Sequence, residues 1–219
     1  MSDLVDRGLD IEQGVLCVLD GAKALHKAVR DVLGVDTPVQ RCIRHKERNV
    51  LDHLPERDRP AVKQRLRSAW CLDEHAAALE RLRALAAELD RSHPGAAASL
   101  REGLEETLTL QRLGIRGSLK QTLASTNPCE SMIECVRRTS RKVKRWQSGD
   151  MALRWTAAGI LEAERQFRRI IGYRDLAKLA LAIERGLART TTPSPDRGRR
   201  RGTEADTGGS FRFGTRGRR

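Results

Sequence analysis

Only two short stretches of this chain have the composition of a buried strand, and both lie before residue 43. Gly14-Val15-Leu16-Cys17-Val18-Leu19 is apolar without alternation and stops at Asp20-Gly21; Val39 to Cys42 is the second. A run that is apolar on both faces belongs to a strand covered on both sides, as in a parallel sheet. Between the two runs, Ala22 to Leu33 sets Ala24, Leu25, Ala28, Val29 and Val32 at helical spacing and closes on Gly34. Strand, helix, strand, followed by a further helix, is how an α/β sheet begins.

Everything after that reads as helix or loop. From about Val50 to Leu123, Pro60 stands where a first helical turn tolerates proline, and Ala61 to Trp70 is amphipathic. Asp73 is placed to cap a helix running to about Leu89 on Ala77, Leu79, Leu82, Leu85 and Ala86. His93-Pro94-Gly95 breaks the chain before another helix to about Leu108, and Gly114 to Gly117 is a loop. The third part opens on Ser125-Thr126-Asn127-Pro128, with Asn127 as cap and Pro128 at the first helical position. The helix it opens carries Cys129, Met132, Ile133 and Val136 on one face and continues into the basic residues that follow. A second helix runs from Asp150 to about Arg169 on Leu153, Trp155, Ala157, Ile160, Leu161 and Phe167, and a last one from about Asp175 to Leu187. From Thr190 the chain is Thr, Pro, Gly and Arg, too poor in apolar residues to fold. The fold class is therefore α/β but mostly helical, divided at 1–55, 56–123, 124–189 and a disordered tail at 190–219.

Charge narrows the partners. Forty-two Lys and Arg against 29 Asp and Glu leave +13, which favours polyanions. Aromatic residues are only 3% of the chain, too few for a single-strand binder that stacks bases. No apolar run is long enough to cross a membrane. The polar, acidic N-terminus is not a secretory signal. Five cysteines without a Cys-x-x-Cys pair indicate reduced thiols.

Four features are candidates for chemistry. Asp20 stands at the C-terminal end of a buried strand, where α/β sheets place their sites, although Asp-Gly is also an ordinary turn. Glu130 reads equally as the third residue of a capping box on Asn127 and as a catalytic carboxylate half-buried at the head of a basic helix. Cys42-Ile43-Arg44-His45 is half of a zinc site without a second half, which leaves a packed cysteine and a helix-start histidine. Six of the nine residues from Arg137 to Arg145 are basic with no acid among them, the pattern of phosphate contact, set against a merely solvated face.

Three motifs together resemble a known family. They are Val18-Leu19-Asp20-Gly21-Ala22-Lys23-Ala24-Leu25, Gln40-Arg41-Cys42-Ile43-Arg44-His45-Lys46-Glu47-Arg48-Asn49-Val50, and Ser125-Thr126-Asn127-Pro128-Cys129-Glu130-Ser131-Met132-Ile133-Glu134. With Val143-Lys144-Arg145-Trp146 and the helix through Arg154-Trp155, the chain from about Leu4 to Leu187 is similar to bacterial insertion-sequence transposases of the Mutator type. The resemblance implies a ribonuclease H-like fold with an all-helical insertion, here 56–123, and an Asp, Asp, Glu triad. Asp20 matches the second Asp and Glu130 the Glu, both as metal ligands for Mg²⁺ or Mn²⁺. Cys42 and His45 match the family's Cys-x-x-His signature. Arg137, Arg138, Arg141, Lys142, Lys144 and Arg145 would then hold double-stranded DNA. The implied setting is the bacterial cytoplasm at the nucleoid, and the implied partner is a second copy or a fuller transposase.

The resemblance departs at its start. Only 19 residues precede Asp20, and Asp3, Asp6 and Asp10 among them leave no room for three strands and a helix. The expectation is the C-terminal half of a transposase without the first Asp or the N-terminal DNA-binding region, cleaving little or nothing alone. A non-catalytic DNA-binding or dimerisation fragment that modulates an intact transposase is the alternative, and a helical structural protein the third class. Three structural expectations follow: Asp20 and Glu130 approach each other, the helical middle packs on itself as a satellite of the sheet, and the first strand keeps one edge unpaired.

Overall fold

The computed structural model describes residues 1–191. A short helix, α1 (Ser2–Asp6), precedes strand β1 (Cys17–Leu19), helix α2 (Lys23–Leu33) and strand β2 (Val39–Arg41). The strands pair in parallel with Cys17 opposite Val39 and Leu19 opposite Arg41. β1 is half as long as its apolar run because a strand extends only as far as a neighbour pairs with it. Cys17 takes the last bond, from its amide to the Pro38 carbonyl at 3.0 Å. Among the described residues β1 has no second strand neighbour, so one edge stands open. α2 crosses between the strands and buries Val29 against Leu19 and Val39.

The chain turns into helix α3 (Ile43–Leu51) directly at Cys42 and then builds α4 (Arg59–Cys71), α5 (His75–Ser92) and α6 (Pro94–Arg101). Val50, Leu54, Val62, Leu66, Leu82, Leu85, Leu100, Leu104 and Leu108 form one core with their neighbours. The apolar faces of the helical middle therefore meet one another, with α3 among them, while Val15 to Leu19 take no part in that cluster. Buried polar side chains tie it to β2. The buried Gln40 side chain donates to the Thr107 carbonyl at 3.0 Å and accepts the Leu110 amide at 3.1 Å. The Thr109 hydroxyl donates to the Val39 carbonyl at 2.6 Å. Asp73 does not cap α5: the cap position is Glu74, and Asp73 instead accepts a 2.6 Å bond from Lys120. The helix expected to run to Leu108 breaks at Glu102-Gly103, where Gly103 has φ +60°, and resumes as a 3₁₀ turn over Glu105–Leu108 and helix α7 (Thr109–Arg112).

Helices α8 (Gly117–Leu123), α9 (Asn127–Ser140), α10 (Gly149–Glu164) and α11 (Leu176–Thr191) complete the described chain. Leu179 and Ile183 of α11 bury against Leu110, Ile115 and Leu119, with Leu16 packed on the same cluster. α9 and α10 lie against each other through small residues, Gly159 fitting against Val136. The expected stripe of α9 holds in part, with Met132 and Val136 half-buried, while that of α10 is turned round. Ile133 is exposed and Cys135 is the buried residue of α9, while Leu153, Trp155, Ile160, Leu161 and Phe167 face outward. α10 also ends at Glu164, five residues before Arg169. Residues 192–219, most of the tail expected to be disordered, lie outside the described residues.

Candidate active site

Cys42 joins the sheet to the helices. Its amide continues the β ladder, donating to the Leu19 carbonyl at 2.7 Å, and the residue is the N-cap of α3. One helical turn on, His45 lies on the same side. The next backbone amide, that of Ile43, donates to the Ala124 carbonyl at 2.9 Å, which brings the segment before α9 against the start of α3. Thr126 is thereby laid on Cys42: its amide and its hydroxyl both lie 3.4 Å from Cys42 Sγ. The Thr126 hydroxyl is also 3.3 Å from His45 Nδ1 and donates to Glu130 Oε1 at 2.8 Å. His45 Nε2 stands 3.7 Å from the same carboxylate oxygen.

Cys42 is fully buried. Burial pushes its thiol up, but the Thr126 hydroxyl, the His45 and Thr126 amides and the His45 side chain outweigh it, and the pKa is lowered. Cys42 and His45 both lie against Thr126, the packed cysteine and helix-start histidine that the sequence favours, and among the described residues no third His, Cys, Asp or Glu completes a metal-holding group with them. Thr126 is the residue that sequence reading passed over; a threonine before Asn-Pro looks like a helix cap, and nothing local shows that its hydroxyl faces residues 42 and 45.

The capping-box reading of Glu130 fails on register. The N-cap of α9 is Thr126, not Asn127, which moves Glu130 to the fourth helical position, and α9 has no side-chain cap. The amide that a capping carboxylate would take is already turned to Cys42 Sγ. The Glu130 side chain is 49% exposed, with Oε1 committed and no hydrogen-bond partner at Oε2 among the described residues.

Asp20 follows β1 directly and is exposed. Its Oδ1 accepts the Ala22 amide at 2.9 Å, so the turn reading holds for that oxygen, while Oδ2 has no hydrogen-bond partner among the described residues. Asp20 and Glu130 share no hydrogen bond; they are related through Leu19, Cys42 and Thr126, three consecutive contacts at one end of the sheet. Among the described residues no three His, Cys, Asp or Glu side chains gather as a metal-holding group. Asp10 is committed to its own turn through Glu12 and Gln13.

The basic residues do not all continue the helix. α9 ends at Ser140, so Arg137 and Arg138 belong to its last turn while Arg141, Lys142, Lys144 and Arg145 lie beyond it. Helical rise puts Arg137 about 10 Å from the level of Glu130. Arg137 faces Glu134 at 4.0 Å, and Arg138 donates to Cys135 Sγ at 3.6 Å; the four beyond the helix form no ion pair with the described residues.

The model of the Mutator family of transposases matches residues 1–169. The chain belongs to that family. It is also 30% identical, over 130 residues, to a transposase for insertion sequence element IS6120 from Mycolicibacterium smegmatis. That match takes in 59% of this chain and 39% of the relative, so the chain spans about two-fifths of that transposase's length. No solved structure matches. No helix of the described residues is long and apolar enough to cross a membrane.

For a Mutator-family chain the donor chemistry at this sheet end suits a hard divalent ion. Asp20 and Glu130 offer carboxylate oxygens, each with one oxygen that has no hydrogen-bond partner among the described residues, and Mg²⁺ is held by one or two carboxylates with water completing its shell. The softer Cys42 sulfur is buried away from water.

Proposed function

We propose that this chain carries the second Asp and the Glu of a transposase centre of ribonuclease H-like type, which cleaves and joins DNA strands with Asp20 and Glu130 as metal ligands. The observation that supports it best is Glu130. Its carboxylate takes no backbone amide of its own helix; the hydroxyl of the N-cap Thr126 holds it beside the Cys42–His45 pair, at the sheet end where Asp20 emerges. A bound Mg²⁺ or Mn²⁺ would activate the attacking water or 3′-hydroxyl and stabilise the leaving oxygen. Asp20 supplies Oδ2 while its Oδ1 keeps the turn rigid, and Glu130 supplies Oε2 while Oε1 is fixed. Arg137, Arg138, Arg141, Lys142, Lys144 and Arg145 grip phosphates of double-stranded DNA without reading sequence.

A second reading has its own support. No third acid joins Asp20 and Glu130 among the described residues, and the β1 edge and the outer face of α10 are open. The chain would then bind DNA and a second transposase polypeptide, which would supply the third carboxylate or be inhibited by the pairing.

Incubation with double-stranded DNA bearing nicked ends separates the two. In Mn²⁺, cleavage by this chain that disappears in Asp20→Asn and in Glu130→Gln supports the catalytic reading; binding without cleavage, with inhibition of an intact transposase, supports the second. In either case Ala at Arg141, Lys142, Lys144 and Arg145 reduces the slope of log affinity against log salt by about 0.9 for each phosphate that is no longer neutralised. An unchanged slope sinks the assignment of these residues to DNA.

A further inference from the structure

The Thr126 hydroxyl has one hydrogen and two lone pairs, and three polar partners surround it: Cys42 Sγ, His45 Nδ1 and Glu130 Oε1, at 3.4, 3.3 and 2.8 Å. It can donate to only one of them. The shortest contact is to the carboxylate, and a hydrogen bond to an ionised acceptor is roughly twice as strong as a neutral one. The proton therefore goes to Glu130. The Cys42 sulfur is then served by the Thr126 amide, and His45 Nδ1 lies against the lone pairs of the hydroxyl oxygen, where it donates in the tautomer that carries its hydrogen there. The Thr126 amide, donating in turn to Cys42 Sγ, keeps that sulfur at its station.

We infer that Thr126 is a positioning residue for Glu130: Cys42 and His45 pack around its hydroxyl and hold it where its single proton meets Oε1, which fixes the carboxylate and leaves Oε2 for a ligand. This assigns work to the Cys-x-x-His pair without making either residue a metal ligand. It also explains why Cys42 is fully buried although it closes a strand: the strand end, the start of α3 and the cap of α9 meet at its sulfur. The part that concerns a divalent ion rests on the proposed function.

The test compares Thr126→Val, which keeps the shape and removes the hydroxyl, with Thr126→Ser, which keeps the hydroxyl. The first readout needs no metal. Side-chain ¹³C couplings of Glu130 in the metal-free full chain should report one rotamer in the wild type and in Thr126→Ser, and rotamer averaging in Thr126→Val. One unchanged rotamer in Thr126→Val overturns the inference. The second readout is Mn²⁺ affinity, titrated with the metal alone. Residues that orient a ligand from outside typically contribute about 10- to 100-fold, so Thr126→Val should bind Mn²⁺ at least about 10-fold more weakly, with Thr126→Ser close to wild type. If Glu130→Gln binds Mn²⁺ as the wild type does, the metal reading falls, and the rotamer comparison still decides the role of Thr126. Because Val fills the Thr volume, matched circular dichroism melts establish that the variant is folded.

Discussion

Glu102 is the residue on which the attachment of helices to sheet turns. It accepts two bonds from Arg41, at 3.0 and 2.8 Å, and one from Lys46 at 3.1 Å, with Lys46 fully buried. The Arg41 guanidinium is wedged between Gly21 and Gly103, where a Cβ would fall within 2.6 Å of it, and its Nε has no partner. Burial raises the Glu102 carboxyl, but the hydrogen bonds from Arg41 and Lys46 more than reverse this and hold its pKa below the ordinary carboxylate range. A carboxyl lowered in the folded state adds stability above its unfolded pKa, and that stability is lost as pH falls through the folded value. Acid unfolding of the wild type should therefore show a component that Glu102→Gln lacks. Glu102→Ala strands two buried cations. Breaking a buried pair typically costs about 3–5 kcal/mol, and the half-exposed Glu102 side chain puts this case at or below the low end. Urea titrations at neutral pH check the size; a loss under about 1 kcal/mol would mean water replaces the carboxylate freely.

At the level of elements, the α9–α10 pair depends on close backbone approach. A Cβ at Gly159 would stand 2.7 Å from Val136 Cα and 3.1 Å from its Cβ. Gly→Ala inside a helix normally gains about 1 kcal/mol from propensity. Overpacking normally costs about 1–3 kcal/mol, and the obstacle here is backbone, which cannot rotate away. The clash should win, so Gly159→Ala lowers Tm; a rise in Tm would show that the two helices slide apart at no cost. The same close approach explains why the sequence misassigned the buried faces. Hydrophobic periodicity ranks Leu153, Trp155, Ile160 and Leu161 above Gly159 and Ala163, yet the small residues let the helices approach and the large ones stay outside. A period of 3.6 identifies a helix; which stripe is buried depends on the shape of its neighbour.

At the scale of the molecule, the outward face of α10 is a broad exposed apolar surface among the described residues, with Leu153 69% and Leu161 61% exposed. Such faces mark association surfaces. Leu153→Lys with Leu161→Glu should leave the stability within about 0.5 kcal/mol, as surface changes do. The same pair of changes should shift the sedimenting species toward monomer at concentrations where the wild type self-associates. A wild type that is monomeric throughout would remove the association surface from the second functional reading.

Much of this protein was set by residue pattern alone. The parallel pair of strands, the helical middle with its own core, the unpaired edge of β1 and the Mutator family membership all rest on local composition and motif spacing, which act over a few residues at a time. What the tertiary structure decided lies in contacts between distant segments. It shortened β1 to the length its neighbour could pair, moved the cap of α9 to Thr126, ended α9 before Arg141, and set the Glu130 carboxylate beside His45 while the Thr126 hydroxyl holds it. It also attached the helical middle to β2 through Gln40, Thr109 and the Glu102 cluster. A hydrogen-bonding side chain chooses among partners by distance in space, and sequence does not record how near residue 126 stands to residue 42.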